Sequence, residues 1–96
     1  MSWIEIEVTN LDELSAALPH DPDVILLDNM SPSLVRQAVT QVRKHAASNK
    51  TRTEASGGIT LHNVREFAEA GVDWISVGAL THSAPAVDIS FEIEPQ

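Results

Sequence analysis

Extended stretches alternate with helical ones three times along this chain, and one more extended stretch follows. That alternation constrains the fold more than any other feature. Ile4, Ile6 and Val8 alternate with Glu5 and Glu7. A period of two places the apolar set on one strand face and both carboxylates on the other. Asn10 then offers an N-cap with Glu13 three residues on, the capping-box spacing, ahead of Leu11, Leu14 and Leu18 at helical spacing. Pro19 ends that helix, because proline cannot continue the hydrogen-bond ladder. Val24 to Asp28 is nearly all apolar, as expected of a strand covered on both faces in a parallel sheet. Ser31-Pro32 starts the second helix, with Val35, Ala38, Val39 and Val42 at helical spacing, fading around Ala47 to Asn49. A third strand spans about Thr51 to Ser56 and closes in Gly57-Gly58. Thr60 caps a helix carrying Leu61, Val64, Phe67 and Ala68, with Gly71 as the residue after its end. The fourth strand is Trp74 to Val77, followed by Gly78, and the tail alternates from Val87 to Ile93.

The order is βαβαβαβ plus a tail, which implies a parallel α/β sheet with right-handed crossovers. A small doubly wound sheet and a section of a (β/α) barrel both satisfy it. A full barrel takes about 250 residues in eight units. The 96 residues, read as a single domain over 1–96, equal about three such units. The outer strands of a section would be unpaired edges needing a partner. Polar residues favour the barrel, because Glu7, Asp28-Asn29, Ser56-Gly57-Gly58 and Gly78 stand at the C-terminal ends of strands, where parallel α/β proteins place their sites.

Composition removes several classes. With 14 Asp+Glu against 6 Lys+Arg the net charge is −8, which argues against a nucleic-acid partner. Cysteine is absent, so no disulfide, thiolate metal site or Cys nucleophile exists, in keeping with a reducing, cytoplasmic location. The longest apolar run, Val24-Ile25-Leu26-Leu27, is far short of a membrane span, and Met1 to Glu5 has no signal-peptide pattern.

Asp28-Asn29 directly follows a buried strand and can hold magnesium or a sugar hydroxyl, or simply form an Asx turn before Ser31. Gly57-Gly58 can present free amides to a phosphate, and Gly78 is a second glycine at the next strand mouth. Glu5 and Glu7 read either as an exposed polar face or as an interior pair needing a cation. His82 reads as a phosphate donor or a loop histidine, while His20, His45 and His62 read as surface. Trp3 and Trp74 read as core, and Arg52 shares strand parity with Glu54 and Ser56. No nucleophile–base pair is evident, so these residues alone name no reaction.

Four blocks resemble one family. They are Glu5-Ile6-Glu7-Val8, Ile25 to Met30, Glu54-Ala55-Ser56-Gly57-Gly58-Ile59 and Val77 to Pro85, with Val87 to Ser90 in support. In order and spacing they are similar to quinolinate phosphoribosyltransferase, the decarboxylating enzyme of NAD biosynthesis. The resemblance implies a magnesium-dependent transfer of phosphoribosyl from phosphoribosyl pyrophosphate to quinolinate. It implies an incomplete α/β barrel that assembles as a homo-oligomer or pairs with the missing N-terminal part. By resemblance Glu7 and Asp28 match the carboxylates for the ribose hydroxyls and magnesium–pyrophosphate. Ser56, Gly57, Gly58, Gly78 and His82 match the surroundings of the 5′-phosphate. The family's cationic quinolinate pocket has no counterpart here, so the chain looks like the C-terminal part of the barrel, inactive without the rest. Two other readings stand beside it: a non-catalytic phosphate-binding or self-assembling module, and a related phosphoribosyltransferase with another acceptor.

Overall fold

The computed structural model describes residues 3–45 and 50–77, and the backbone of residues 89–92. Strand β1 (Glu5–Val8) leads into helix α1 (Leu11–Ala17), which tightens into a single 3-10 turn over Leu18–His20. Strand β2 (Val24–Asp28), helix α2 (Pro32–Lys44), strand β3 (Arg52–Ser56), helix α3 (Val64–Glu69) and strand β4 (Trp74–Val77) follow, then β5 (Ile89–Glu92). The helix starts follow the caps. Asn10 Oδ1 accepts from Glu13 N–H at 2.8 Å, and Ser31 Oγ accepts from Leu34 N–H at 3.2 Å ahead of Pro32. The capping box closes one residue early, because Glu13 Oε1 accepts from Thr9 N–H and Thr9 Oγ–H rather than from Asn10. These bonds favour the carboxylate and hold Glu13 below its ordinary carboxyl range, the backbone bond most strongly.

The sheet runs in sequence order, β1-β2-β3-β4-β5. The first four strands are parallel, which makes this an α/β fold, as the alternation predicts. The tail departs from that pattern, since β5 is antiparallel to β4. Eleven residues, 78–88, join the two, fewer than a parallel crossover ordinarily takes.

Sequential order with right-handed crossovers puts every helix on one side, and α1, α2 and α3 lie in a row there, touching in turn. The core fills the space between: Val8, Ile25, Leu27, Ala55, Ile75 and Val77 from the strands meet Leu14, Val35, Val42 and Phe67 from the helices. The expectation that β2 is covered on both faces is met unevenly: Ile25 and Leu27 are buried under the helices, and on the other face Val24 is buried while Leu26 is half-buried.

The N-terminal ends of the strands are latched by one repeated device. Asp23 Oδ2 accepts from Ile4 N–H at 2.8 Å, and Asp73 Oδ2 accepts from Thr53 N–H at 2.8 Å and Thr53 Oγ–H at 3.2 Å. Each aspartate stands just before its own strand and ties down the preceding one in the sheet. Two tryptophan expectations are corrected. Trp3 is 69% exposed, because it precedes the edge strand and nothing described covers it. Trp74 is half-buried on the face away from the helices.

Candidate functional site

Strand parity decides what the open face carries. Opposite the helices stand Glu5 and Glu7 of β1, Val24, Leu26 and Asp28 of β2, Arg52, Glu54 and Ser56 of β3, and Trp74 and Ser76 of β4. Four carboxylates thus share this face with Arg52 as its one basic side chain among the described strands. Arg52 sits at the start of its strand and pairs at 3.6 Å with Asp73, away from the C-terminal mouth.

At that mouth β2 and β3 end in register, Asp28 beside Ser56. Ser56 Oγ–H donates to Asp28 Oδ1 at 3.2 Å, which turns the carboxylate toward β3. Asn29 then takes φ +58 and its N–H donates to Ser56 O at 2.8 Å. Asparagine tolerates that left-handed conformation better than most residues. Gly57 follows at φ +85, where a Cβ would lie 2.9 Å from both Asn29 N and Asp28 Oδ1. Only glycine lets the two mouths approach this closely.

The next turn is held by a side chain that strand-and-helix periodicity does not single out. Asn63 Nδ2–H donates to Gly58 O at 3.1 Å, and Asn63 Oδ1 accepts from Thr60 N–H at 2.8 Å. The clamp makes residues 61–63 a turn, so α3 begins at Val64, later than a cap at Thr60 predicts, and Leu61 is 61% exposed. With Gly58 O engaged, the Gly57 and Gly58 N–H groups have no acceptor among the described residues. They form a short run of free donors beside the Asp28–Ser56 pair, the arrangement that suits an anionic oxygen.

Glu7 is exposed on β1 and faces Leu26 in the register. Asp28 lies one strand across and two residues further on, so the two Cα atoms are about 8 Å apart by ordinary sheet spacing. Glu54 stands on the other side of Leu26 and accepts from Ser76 Oγ–H at 2.6 Å. Neither Glu54 nor Ser76 stands out in the sequence as a site residue. Their shared parity was visible, but only the β3–β4 register brings them together. Gly78 and His82 lie outside the described residues. His20 and His62 are exposed and His45 is half-buried.

Among the described residues, no group of three or more His, Cys, Asp and Glu side chains could hold a metal alone, and no helix is long and apolar enough to cross a membrane.

Known proteins resemble the chain throughout. Residues 1–92 match the family model described as quinolinate phosphoribosyl transferase, C-terminal domain. A probable nicotinate-nucleotide pyrophosphorylase (carboxylating) of Archaeoglobus fulgidus is 41% identical over 90 residues, covering 94% of this chain and 35% of that protein. The human nicotinate-nucleotide pyrophosphorylase (carboxylating) is 38% identical over 90 residues, covering 94% of this chain and 30% of its own. The solved nicotinate-nucleotide pyrophosphorylase of Francisella tularensis superposes with a TM-score of 0.70 at 39% identity, over 91% of this chain and 29% of that one. The chain spans about a third of the length of these curated relatives.

Proposed function

We propose, from the premise that this chain belongs to the quinolinate phosphoribosyl transferase C-terminal domain family, that it supplies the phosphoribosyl-donor half of that enzyme's site. In this reading the complete site moves phosphoribosyl from phosphoribosyl pyrophosphate to quinolinate. The bond from the anomeric carbon to pyrophosphate breaks and one to the pyridine nitrogen forms. The carboxylate next to that nitrogen then leaves as carbon dioxide, a proton takes its place, and nicotinate mononucleotide results.

The observation that carries the reading is the Asp28–Ser56–Gly57 junction. A carboxylate oriented by a hydroxyl stands against unengaged glycine amides at the mouth of a parallel sheet. Asp28 and Glu7 accept from the ribose hydroxyls, and their negative charge favours the cationic ribosyl group that develops as the leaving group departs. Ser56, Gly57 and Gly58 face the 5′-phosphate, with Gly78 and His82 assigned to the same phosphate by resemblance alone. Magnesium belongs to the same proposal. Two carboxylates of hard oxygen donors on one face fit an ion that commonly takes one or two protein carboxylates and completes its shell with phosphate oxygens and water. When bound, it would neutralise charge on the departing pyrophosphate.

The open face supplies carboxylates and few cations, so the reading assigns the quinolinate pocket to the part of the relatives' length that this chain does not span. An assembly of several copies, and action in the cytoplasm, belong to the proposal as well. The test is an amide NMR titration of the chain with magnesium and phosphoribosyl pyrophosphate. Shifts centred on Asp28, Gly57 and Gly58, lost in Asp28→Asn, are expected. Shifts spread elsewhere, or unchanged in Asp28→Asn, overturn the assignment.

A further inference from the structure

Asn63 is the N-cap residue of α3, yet its side chain makes no cap bond to that helix. Asn10 and Ser31 stand at the same position before α1 and α2, and both cap forward. The Asn63 amide turns back instead. Its Nδ2–H donates to Gly58 O and its Oδ1 accepts from Thr60 N–H, so it grips the chain on both sides of Ile59. A forward cap stabilises a helix. At α3 that gain is forgone for a fixed loop.

The bond to Gly58 O orients a whole peptide unit. The peptide between Gly58 and Ile59 is trans and planar, so its N–H points opposite to its C=O. With Gly58 O held toward Asn63, the Ile59 N–H is turned to the other side. Ile59 is 2% exposed and its side chain belongs to the core. Its N–H has no acceptor among the described residues. A buried backbone N–H without a partner is rare, and it calls for an acceptor supplied from outside the chain. Gly57 and Gly58 precede it with their own unengaged N–H groups, so three successive donors stand together. Charge gives the third donor a purpose. Asp28 Oδ1 would lie 2.9 Å from a Cβ on Gly57, so an anion centred on Gly57 alone would meet a like charge. A donor two residues further on draws the anion away from that carboxylate.

We propose that Asn63 is a positioning residue of the donor site. It fixes the Gly58–Ile59 peptide so that Ile59 N–H joins Gly57 and Gly58 N–H in holding the phosphate of a phosphorylated sugar, on the side away from Asp28. The proposal rests on the reading above that the glycine loop meets the donor's 5′-phosphate.

The experiment titrates the 96-residue chain with ribose 5-phosphate, which carries that phosphate without the pyrophosphate, and follows amide NMR shifts. In the unaltered chain Gly57, Gly58 and Ile59 should move together. Asn63→Ala should weaken binding about tenfold or more and silence Ile59. Asn63→Asp keeps an acceptor for Thr60 N–H but has no donor for Gly58 O. Ile59 should fall silent there too, while the Thr60 amide stays where it is. This second variant carries the test should the alanine chain fail to fold. Asp73→Ala is the control for lost stability, because Asp73 ties down Thr53 at the opposite end of the strands. It should bind ribose 5-phosphate as the unaltered chain does. Binding that survives in both Asn63 variants with Ile59 still shifting overturns the proposal and leaves the donor reading standing. Equal weakening in Asp73→Ala also overturns it, since the effect is then one of stability. An unaltered chain whose glycine loop does not respond to ribose 5-phosphate removes the donor reading, and the proposal with it.

Discussion

Adding one methyl group at Gly57 tests how tightly the β2 and β3 mouths are joined. A Cβ there would stand 2.9 Å from Asn29 N and Asp28 Oδ1 and 3.1 Å from Asn29 Cα. Two of these three atoms are backbone, and Asn29 N–H is already committed to Ser56 O at 2.8 Å. The junction cannot recoil without breaking that bond or pushing Asp28 off Ser56. Gly57→Ala therefore meets two costs: about 1–2 kcal/mol for an alanine at φ +85, and about 1–3 kcal/mol for overpacking against fixed atoms. Gly58→Ala is the internal control. Its φ of +72 carries the first cost, but the nearest atom to its Cβ is Asn29 Oδ1 at 3.8 Å, an ordinary contact. The two variants should differ by about 1–3 kcal/mol in urea unfolding followed by tryptophan fluorescence. With a slope of roughly 1–3 kcal/mol per molar, that is a midpoint difference on the order of 1 M. Equal losses in the two variants would refute the steric argument and leave backbone conformation as the whole effect.

Other perturbations address the latches, the cap and a titration. Asp73→Ala strands the N–H and hydroxyl of Thr53, itself 2% exposed, and should cost about 1–3 kcal/mol by urea unfolding. Asp23→Ala removes the matching bond at exposed Ile4 and should cost less. Asn10→Ala removes the α1 cap and should cost about 1 kcal/mol. In calorimetry that is a Tm drop of roughly 4–8 °C for a chain of this size. Because the folded state lowers the pKa of Glu13, its contribution is present above the unfolded value and lost as pH falls through the folded one. Glu13→Gln should flatten that part of the stability–pH curve, and an unchanged curve would show that the Thr9 bonds contribute nothing. In an assembly that turns over, Asp28→Asn should lower kcat by about 10²-fold at saturating donor; near-normal turnover would remove Asp28 from the chemistry.

Local chemistry made much of the fold legible. Asn10 and Ser31-Pro32 start helices because their side chains satisfy amide groups within three residues, and that bond is written in the spacing. The start of α3 was misread because Asn63 reaches back to Thr60 and Gly58, trading a turn of helix for a clamp on the glycine loop. Trp3 was misread because a large apolar side chain is buried only if something lies over it, and β1 is an edge. Asp28, Ser56 and Gly57 were visible as strand-end residues, whereas the pairing of Glu54 with Ser76 was not.

Residue order alone determined the α/β alternation, the caps, and the parity within each strand that sets Glu5 with Glu7 and Arg52 with Glu54 and Ser56, because each depends on neighbours within about four positions. Tertiary structure decided the rest. Asp28 and Ser56 are 28 residues apart, and no local period relates them. Only the parallel register of β2 and β3, set by burying Ile25, Leu27 and Ala55 under the helices, brings the carboxylate to the hydroxyl and leaves Gly57 no room for a side chain.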